Sequence, residues 1–429
     1  MSGVERDSER SRARIDTQAI SRVLVVSPRV PWPPRGGLDL RPASVLVALA
    51  DLGLEVGLAT FATPSDELAV PEDVRAWFPE IETDDDDGRD ANPLEWVKVA
   101  DGHPTDGWWT PHTEAALRRA LAEFEPQLVI LDGLWTRRVL PLVAEAPDRW
   151  AVLCAHNVEA TLRVELERSI GEQMPAALGA LVTRRTAAIE GSVVAAVDQV
   201  WACSQDDAGL FRERYPGCAP VSVVPNVVTV PRAARSGADL EHPLLLFVGA
   251  LTYPPNVDAA VWLVTELMPR LRAIGLDARL RIIGAGAPAK LRELAGDNAV
   301  EVSGYVDDLA AHLDEAAIVP VPLVAGGGTR FKVLEAFAHR IPVVSTAKGV
   351  EGLDVRAGTH YLAAETAAEF ASAIADICSN DPLRAAITRD AYALVENAYA
   401  PSAIRDAVRV ALAALREEPS RTPSAATLR

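Results

Sequence analysis

Ala325-Gly326-Gly327-Gly328-Thr329-Arg330-Phe331-Lys332-Val333-Leu334-Glu335-Ala336-Phe337-Ala338-His339-Arg340-Ile341-Pro342-Val343-Val344-Ser345 carries the pattern that decides the fold. With the apolar run Ile318–Val321 ahead of it, it reads as strand, triple-glycine loop, helix and strand. Such a unit belongs to a parallel α/β sheet. Gly326, Gly327 and Gly328 let the backbone approach a ligand closely and offer amide donors at a helix start. Arg330 and Lys332 fall in the expected first turn, where the helix dipole disfavours positive charge, so a local anion would explain them. Glu335, three residues beyond Lys332, shares its helical face. A diphosphate held by glycine amides and two cations, with Glu335 reaching a ribose, accounts for the set. The spacing also fits a surface helix carrying a Lys332–Glu335 pair.

Outward from this segment, Leu244–Gly249, Ala278–Ile283 and Val300–Gly304 read as further strands separated by helical stretches. Together they predict one complete doubly wound domain. Arg22–Ser27, Leu54–Phe61, Leu128–Leu131, Trp150–Ala155 and Gln199–Ser204 predict a second, with one long helical region between Trp150 and Gln199. The pattern breaks around Pro225–Leu240 in turn chemistry. The expected organisation is a polar, disordered tail over 1–20, a Rossmann-like domain over 21–235 and a second over 236–398. A helix over 399–417 would return to the first domain, and a tail covers 418–429. Two such domains facing one another imply a cleft lined by the loops after the strands.

Composition narrows the partners. The 429 residues carry 42 Lys and Arg against 60 Asp and Glu, a net charge of −18, which argues against nucleic-acid binding. Four cysteines without a CxxC pair suggest neither a zinc knuckle nor a disulfide framework, as expected of a cytoplasmic protein. Apolar runs such as Pro243–Leu251 are shorter than the ~18 residues of a membrane span, which leaves room only for peripheral membrane contact. Asp84-Asp85-Asp86 has a DxD spacing that can chelate metal, but within four consecutive aspartates it reads as a solvated loop, so no metal is expected.

Several segments together resemble the retaining GT-B glycosyltransferases of family 4. Glu335-Ala-Phe-Ala-His-Arg-Ile-Pro-Val-Val344 is similar to the family's donor-site motif, and Pro31-Trp-Pro-Pro-Arg-Gly-Gly37 to its first-strand loop. His156-Asn157, Val224-Pro-Asn226 and Pro255-Asn256-Val257 extend the likeness over most of the chain. The resemblance implies two Rossmann-like domains and a metal-independent transfer of sugar from a nucleotide-sugar donor, as co-substrate, to an acceptor that stays unknown. No other cofactor is implied. It implies a catalytic place for His156 near the reactive carbon of the sugar, and Arg330 and Lys332 are expected to share in catalysis by matching the charge of the diphosphate. Donor binding falls to Gly36, Gly37, Gly249, Gly284, Tyr305, Val306, Gly327, Gly328, Thr329 and Glu335. Two departures stand out. Gly327 occupies the place of the first of two acidic residues, and Gly249–Asn256 lacks the usual Arg and Lys, a charge that Arg330 and Lys332 would replace.

Other readings of single residues remain open at this level. His156 also fits a strand-end histidine satisfied by backbone, and Gly36-Gly37 a plain turn. Arg35, Asp39 and Arg41 are candidate acceptor contacts, and Trp108-Trp109 either stacks on an acceptor ring or packs internally. Arg118-Arg119, Arg137-Arg138 and Arg184-Arg185 read as surface pairs. Gly284-Ala-Gly-Ala-Pro-Ala289 matches a dinucleotide fingerprint and would make the protein an NAD-dependent oxidoreductase, although it follows the second strand of its domain where that fingerprint follows the first. A non-catalytic nucleotide-sugar-binding protein is the third alternative.

Overall fold

The computed structural model describes residues 20–34, 36–61, 70–79, 95–99, 102–170, 175–231, 238–295 and 299–417. Both expected tails, apart from Ile20, the aspartate run at 84–87 and Arg35 lie outside them. By its contacts the chain forms two compact units. One comprises the described residues of Met1–Arg163, Pro175–Pro225 and Ile404–Arg429, the other those of Val164–Met174 and Asn226–Ala403. The chain thus leaves the first unit after Pro225 and rejoins it at Ile404.

In the first unit, β1 (Arg22–Ser27), β2 (Glu55–Thr60), β3 (Val74–Trp77), β4 (Leu128–Asp132), β5 (Trp150–Cys154), β6 (Gln199–Ala202) and β7 (Val221–Val223) form one sheet. Its order is β3-β2-β1-β4-β5-β6-β7, and every pairing is parallel. The central strands are buried along their length, β4 at all five positions, as helices on both faces require. The second unit holds β8 (Leu244–Val248), β9 (Arg279–Ile283), β10 (Val300–Ser303), β11 (Val319–Val321), β12 (Val343–Ser345) and β13 (Leu362–Ala363). A parallel bridge from Leu245 to Ile318 joins its two three-stranded pieces into the order β10-β9-β8-β11-β12-β13. Each unit is therefore wound both ways from its first strand, with a crevice at the carboxyl ends where the winding reverses.

Every strand expected from the sequence is present within a residue or two at each end. Three more, β3, β7 and β13, lie at sheet edges. The long helical region expected between Trp150 and Gln199 consists of two helices, Glu159–Ile170 and Ala176–Ala196. Among the described residues no helix is long and apolar enough to cross a membrane.

Arg41 corrects one expectation. It is no acceptor contact: only 1% exposed, its guanidinium donates to Val224 O at 2.9 Å and Trp201 O at 3.2 Å. It thereby ties the helix Gly37–Asp51 to the far strands of the sheet. Arg137 and Arg138 likewise pair with Asp106, and Arg185 donates to Gly102 O and Val97 O, so they clamp loops where surface pairs were expected. Arg41→Ala leaves buried carbonyls without their charged donor and should lower stability by about 3 kcal/mol, read as a reduced urea midpoint.

Candidate functional site

In the second unit the loops after β8, β9 and β11 assemble one constellation. A side chain at Gly284 is impossible without backbone movement, since a Cβ there would stand 1.9 Å from Gly249 O. Leu251 N donates to Ala285 O at 2.8 Å across the same contact. The glycines of the apparent dinucleotide fingerprint thus serve loop-to-loop packing. Gly249 has its own constraint: a Cβ would lie 2.7 Å from the Asn256 side chain. Asn256 donates through Nδ2 to Ala250 O at 3.0 Å and accepts at Oδ1 from Lys332 Nζ at 2.8 Å.

Lys332 sits one residue into the helix Phe331–Ala338, its ammonium 4.2 Å from the centre of the Phe247 ring on β8. Burial, with the Arg330 charge adding to it, pushes its pKa down to about 7. Burial likewise lifts the Glu335 carboxyl to about 7, opposed by the Lys332 charge. Lysine and glutamate therefore lie near the midpoint of their titrations at neutral pH, a condition common where a charged ligand completes the site.

Arg330 behaves differently from its sequence expectation. It is the residue before the helix, 6% exposed, and its guanidinium turns back to donate to Gly326 O at 2.6 Å and Gly327 O at 2.7 Å. Lys348 O at 3.4 Å and the Glu351 carboxylate at 3.9 Å lie beside it. Carbonyls therefore supply the countercharge that the sequence reading sought in an anion, and Arg330 fixes the shape of the glycine loop. Gly326 and Gly328 hold φ of 109° and 71°, a region open to glycine and strained for other residues. Thr329 beside them is buried. Tyr305 and Val306 lie on the loop after β10, joined to this group through the bond from Gly284 N to Ser303 O at 3.2 Å.

The first unit has its own site at the carboxyl ends of β1, β4 and β5. Ser27, Asp132 and His156 stand there, 2%, 2% and 8% exposed. Ser27 Oγ donates to Asp132 Oδ2 at 2.7 Å, and His156 Nε2 lies 2.6 Å from Asp132 Oδ1. They form part of the wall of a cavity of about 460 Å³, with Arg29, Leu38, Phe61, Trp108 and Trp135 among its other residues. The Trp135 ring is tilted against His156 at 5.7 Å. The two neighbouring tryptophans divide the alternatives left open for them: Trp109 packs edge-on against Phe61, and Trp108 is exposed at the cavity. Gly36 and Gly37 open the helix that carries Leu38, and a Cβ on Gly36 would meet no atom within 4 Å.

Sequence reasoning missed Ser27, Asp132 and the clasp that Asn256 and Phe247 make around Lys332. Asp132 alone had a local signal, a carboxylate at the carboxyl end of an apolar strand. Among the described residues no group of three or more His, Cys, Asp or Glu is placed to hold a metal ion.

Comparison with known proteins bears on what this arrangement serves. Residues 242–380 match the family described as "Glycosyl transferases group 1", and residues 36–227 match the "Glycosyl transferase 4-like domain". The chain belongs to the group 1 glycosyl transferases. Its fold is that of GT-B members. Sucrose-phosphate synthase from Thermosynechococcus elongatus superposes with a TM-score of 0.70 at 17% identity, covering 92% of this chain and 100% of that one. HepE of Anabaena, in complex with UDP-glucose, gives 0.65 at 14% identity over 92% of this chain and 99% of its own. A sequence relative, an uncharacterized 44.6 kDa protein in the cps region of Klebsiella pneumoniae, is 27% identical over 169 residues. That match spans 38% of this chain and 44% of the relative.

Gly284→Ala must separate the loops after β8 and β9. A stability loss on the order of 1–3 kcal/mol is expected, measured by urea unfolding followed through the transition of the second unit.

Proposed function

We propose that the protein transfers a sugar from a nucleotide-sugar donor to an acceptor hydroxyl, with retention at the anomeric carbon and without a metal ion. One observation carries this reading: a half-buried lysine and glutamate, both shifted toward neutrality, on the helix that follows a glycine loop shaped by Arg330. An ammonium out of water at that place suits a diphosphate. As the bond to the sugar breaks, negative charge grows on the leaving phosphates. Lys332 and the loop amides then stabilise the transition state more than the ground state. Arg330 acts through the loop carbonyls it holds, and Glu335 takes the ribose hydroxyls. The fold shared with HepE, crystallised with UDP-glucose, supports a donor of this class. In the first unit His156 orients a hydroxyl of the sugar substrate, and the aromatic wall of its cavity suits a sugar ring.

The experiment is a nucleotide-sugar panel screened by thermal shift and turnover in the presence of EDTA, with the product anomer assigned by NMR. Binding at 100 times Kd should add about 2.7 kcal/mol of stability. Inversion at the anomeric carbon, or loss of turnover on chelation, would refute the corresponding part. Tight binding without transfer or hydrolysis would favour the non-catalytic alternative, for which Gly327 in place of an acidic residue is the motivation.

Lys332→Ala should lower kcat/KM for the donor by about 10²–10³-fold. Nucleoside diphosphate affinity should also fall as pH rises through about 7, because Lys332 loses the proton that the anion needs. Titration calorimetry between pH 6 and pH 8.5, flanking that value on the order of one unit each way, should show the decline in the wild type. In Lys332→Arg, whose guanidinium stays charged, the decline should shrink to the part that ionisation of Glu335 over the same range contributes.

A further inference from the structure

Ser27 and His156 both address the same carboxylate, so the three residues do not form a serine–histidine relay. Asp132 is the centre, taking the Ser27 hydroxyl on Oδ2 and the imidazole on Oδ1. A carboxylate has no proton to give, so the proton of the short bond belongs to His156 Nε2. The Arg41 guanidinium is close enough to Asp132 for their opposite charges to attract. In the neutral ring, with its one proton on Nε2, Nδ1 is the acceptor nitrogen. Among the described residues no hydrogen bond to Nδ1 is found.

The geometry points to Asp132 as a positioning residue: anchored by Ser27, it holds the His156 ring with Nε2 protonated, so that Nδ1 accepts a hydrogen bond from a sugar hydroxyl. Three adjacent parallel strands set this up. β1, β4 and β5 end side by side, and the residue at or just past each end supplies one member. Trp135 against the ring limits its swing from the other side. The assignment rests on the role given to His156 in the proposed transfer reaction, while the location of the proton can be tested without it.

Two measurements on the full-length protein separate these points. Proton NMR in water should show a strongly downfield imidazole N–H, the mark of a short bond to a carboxylate. It should be present in the wild type and lost in both His156→Gln and Asp132→Asn. Initial rates with UDP-glucose as donor, with free glucose release counted as turnover, should show kcat reduced about 10–100-fold in Asp132→Asn. UDP affinity should stay within twofold of the wild type, roughly the 0.4 kcal/mol at which nothing at the nucleotide has changed. Ser27→Ala, which keeps the carboxylate, should retain the downfield signal with a kcat loss of about tenfold or less. It also guards against Asp132→Asn failing to fold. Absence of the signal in the wild type overturns the proposal, as does an Asp132→Asn protein with unchanged kcat. A signal behaving as described in a protein that turns over no nucleotide sugar would overturn the transferase reading and leave the proton assignment standing.

Discussion

A lysine ammonium removed from water must be held by something, and the surroundings of Lys332 follow from that requirement. Its charge faces the π-surface of Phe247, the amide oxygen of Asn256 and, one turn along the helix, the Glu335 carboxyl. None of these is a full ion pair in contact with it, so much of the desolvation remains uncompensated and the pKa drops. Asn256 can reach Lys332 only because Gly249 has no side chain, and Gly249 O can lie where it does only because Gly284 has none. The two loop glycines and the shifted lysine are thus consequences of one packing problem. Arg330, by contrast, donates to the loop carbonyls of Gly326 and Gly327 and can serve as a rigid former of the glycine loop.

The two units reach similar solutions by the same topological rule. Winding outward in both directions from the first strand leaves a crevice where neighbouring crossovers part. In the first unit that place is occupied by the ends of β1, β4 and β5 with Ser27, Asp132 and His156. In the second it is occupied by the loops after β8 and β11, with Gly249 and the glycine run. Ser27, Asp132 and His156 can be buried there because each has a hydrogen-bond partner fixed by the sheet, as the short bonds at Asp132 illustrate.

What was legible in the sequence was what local pattern specifies. Val23–Val26, Val129–Leu131 and Leu245–Phe247 are continuous apolar runs because both faces of a parallel strand are covered, and they were found. The edge strands were not. Val74–Trp77 is interrupted by exposed Arg75, Val221–Val223 is only three residues long, and Leu362–Ala363 only two. In the site, the glycine loop, Lys332, Glu335 and His156 announced themselves through residue type and neighbours. Ser27 and Asp132 did not, being 105 residues apart in the chain and meaningful only once β1 and β4 are adjacent. Arg41 was misjudged for a related reason. A charged residue beside a loop looks exposed until the carbonyls of Trp201 and Val224, far along the chain, are brought over it.

The helix Pro401–Glu417 gives the first unit a discontinuous chain, closed in part by the bond from Gln199 Nε2 to Ala411 O at 3.1 Å. During synthesis, therefore, the amino-terminal sheet emerges from the ribosome long before its last helix exists. Asn226–Ala403, nearly contiguous, can settle while its predecessor still waits for a missing wall. Emergence of the helix Pro401–Glu417, and not the appearance of the seventh strand, is the moment at which the first unit can become whole.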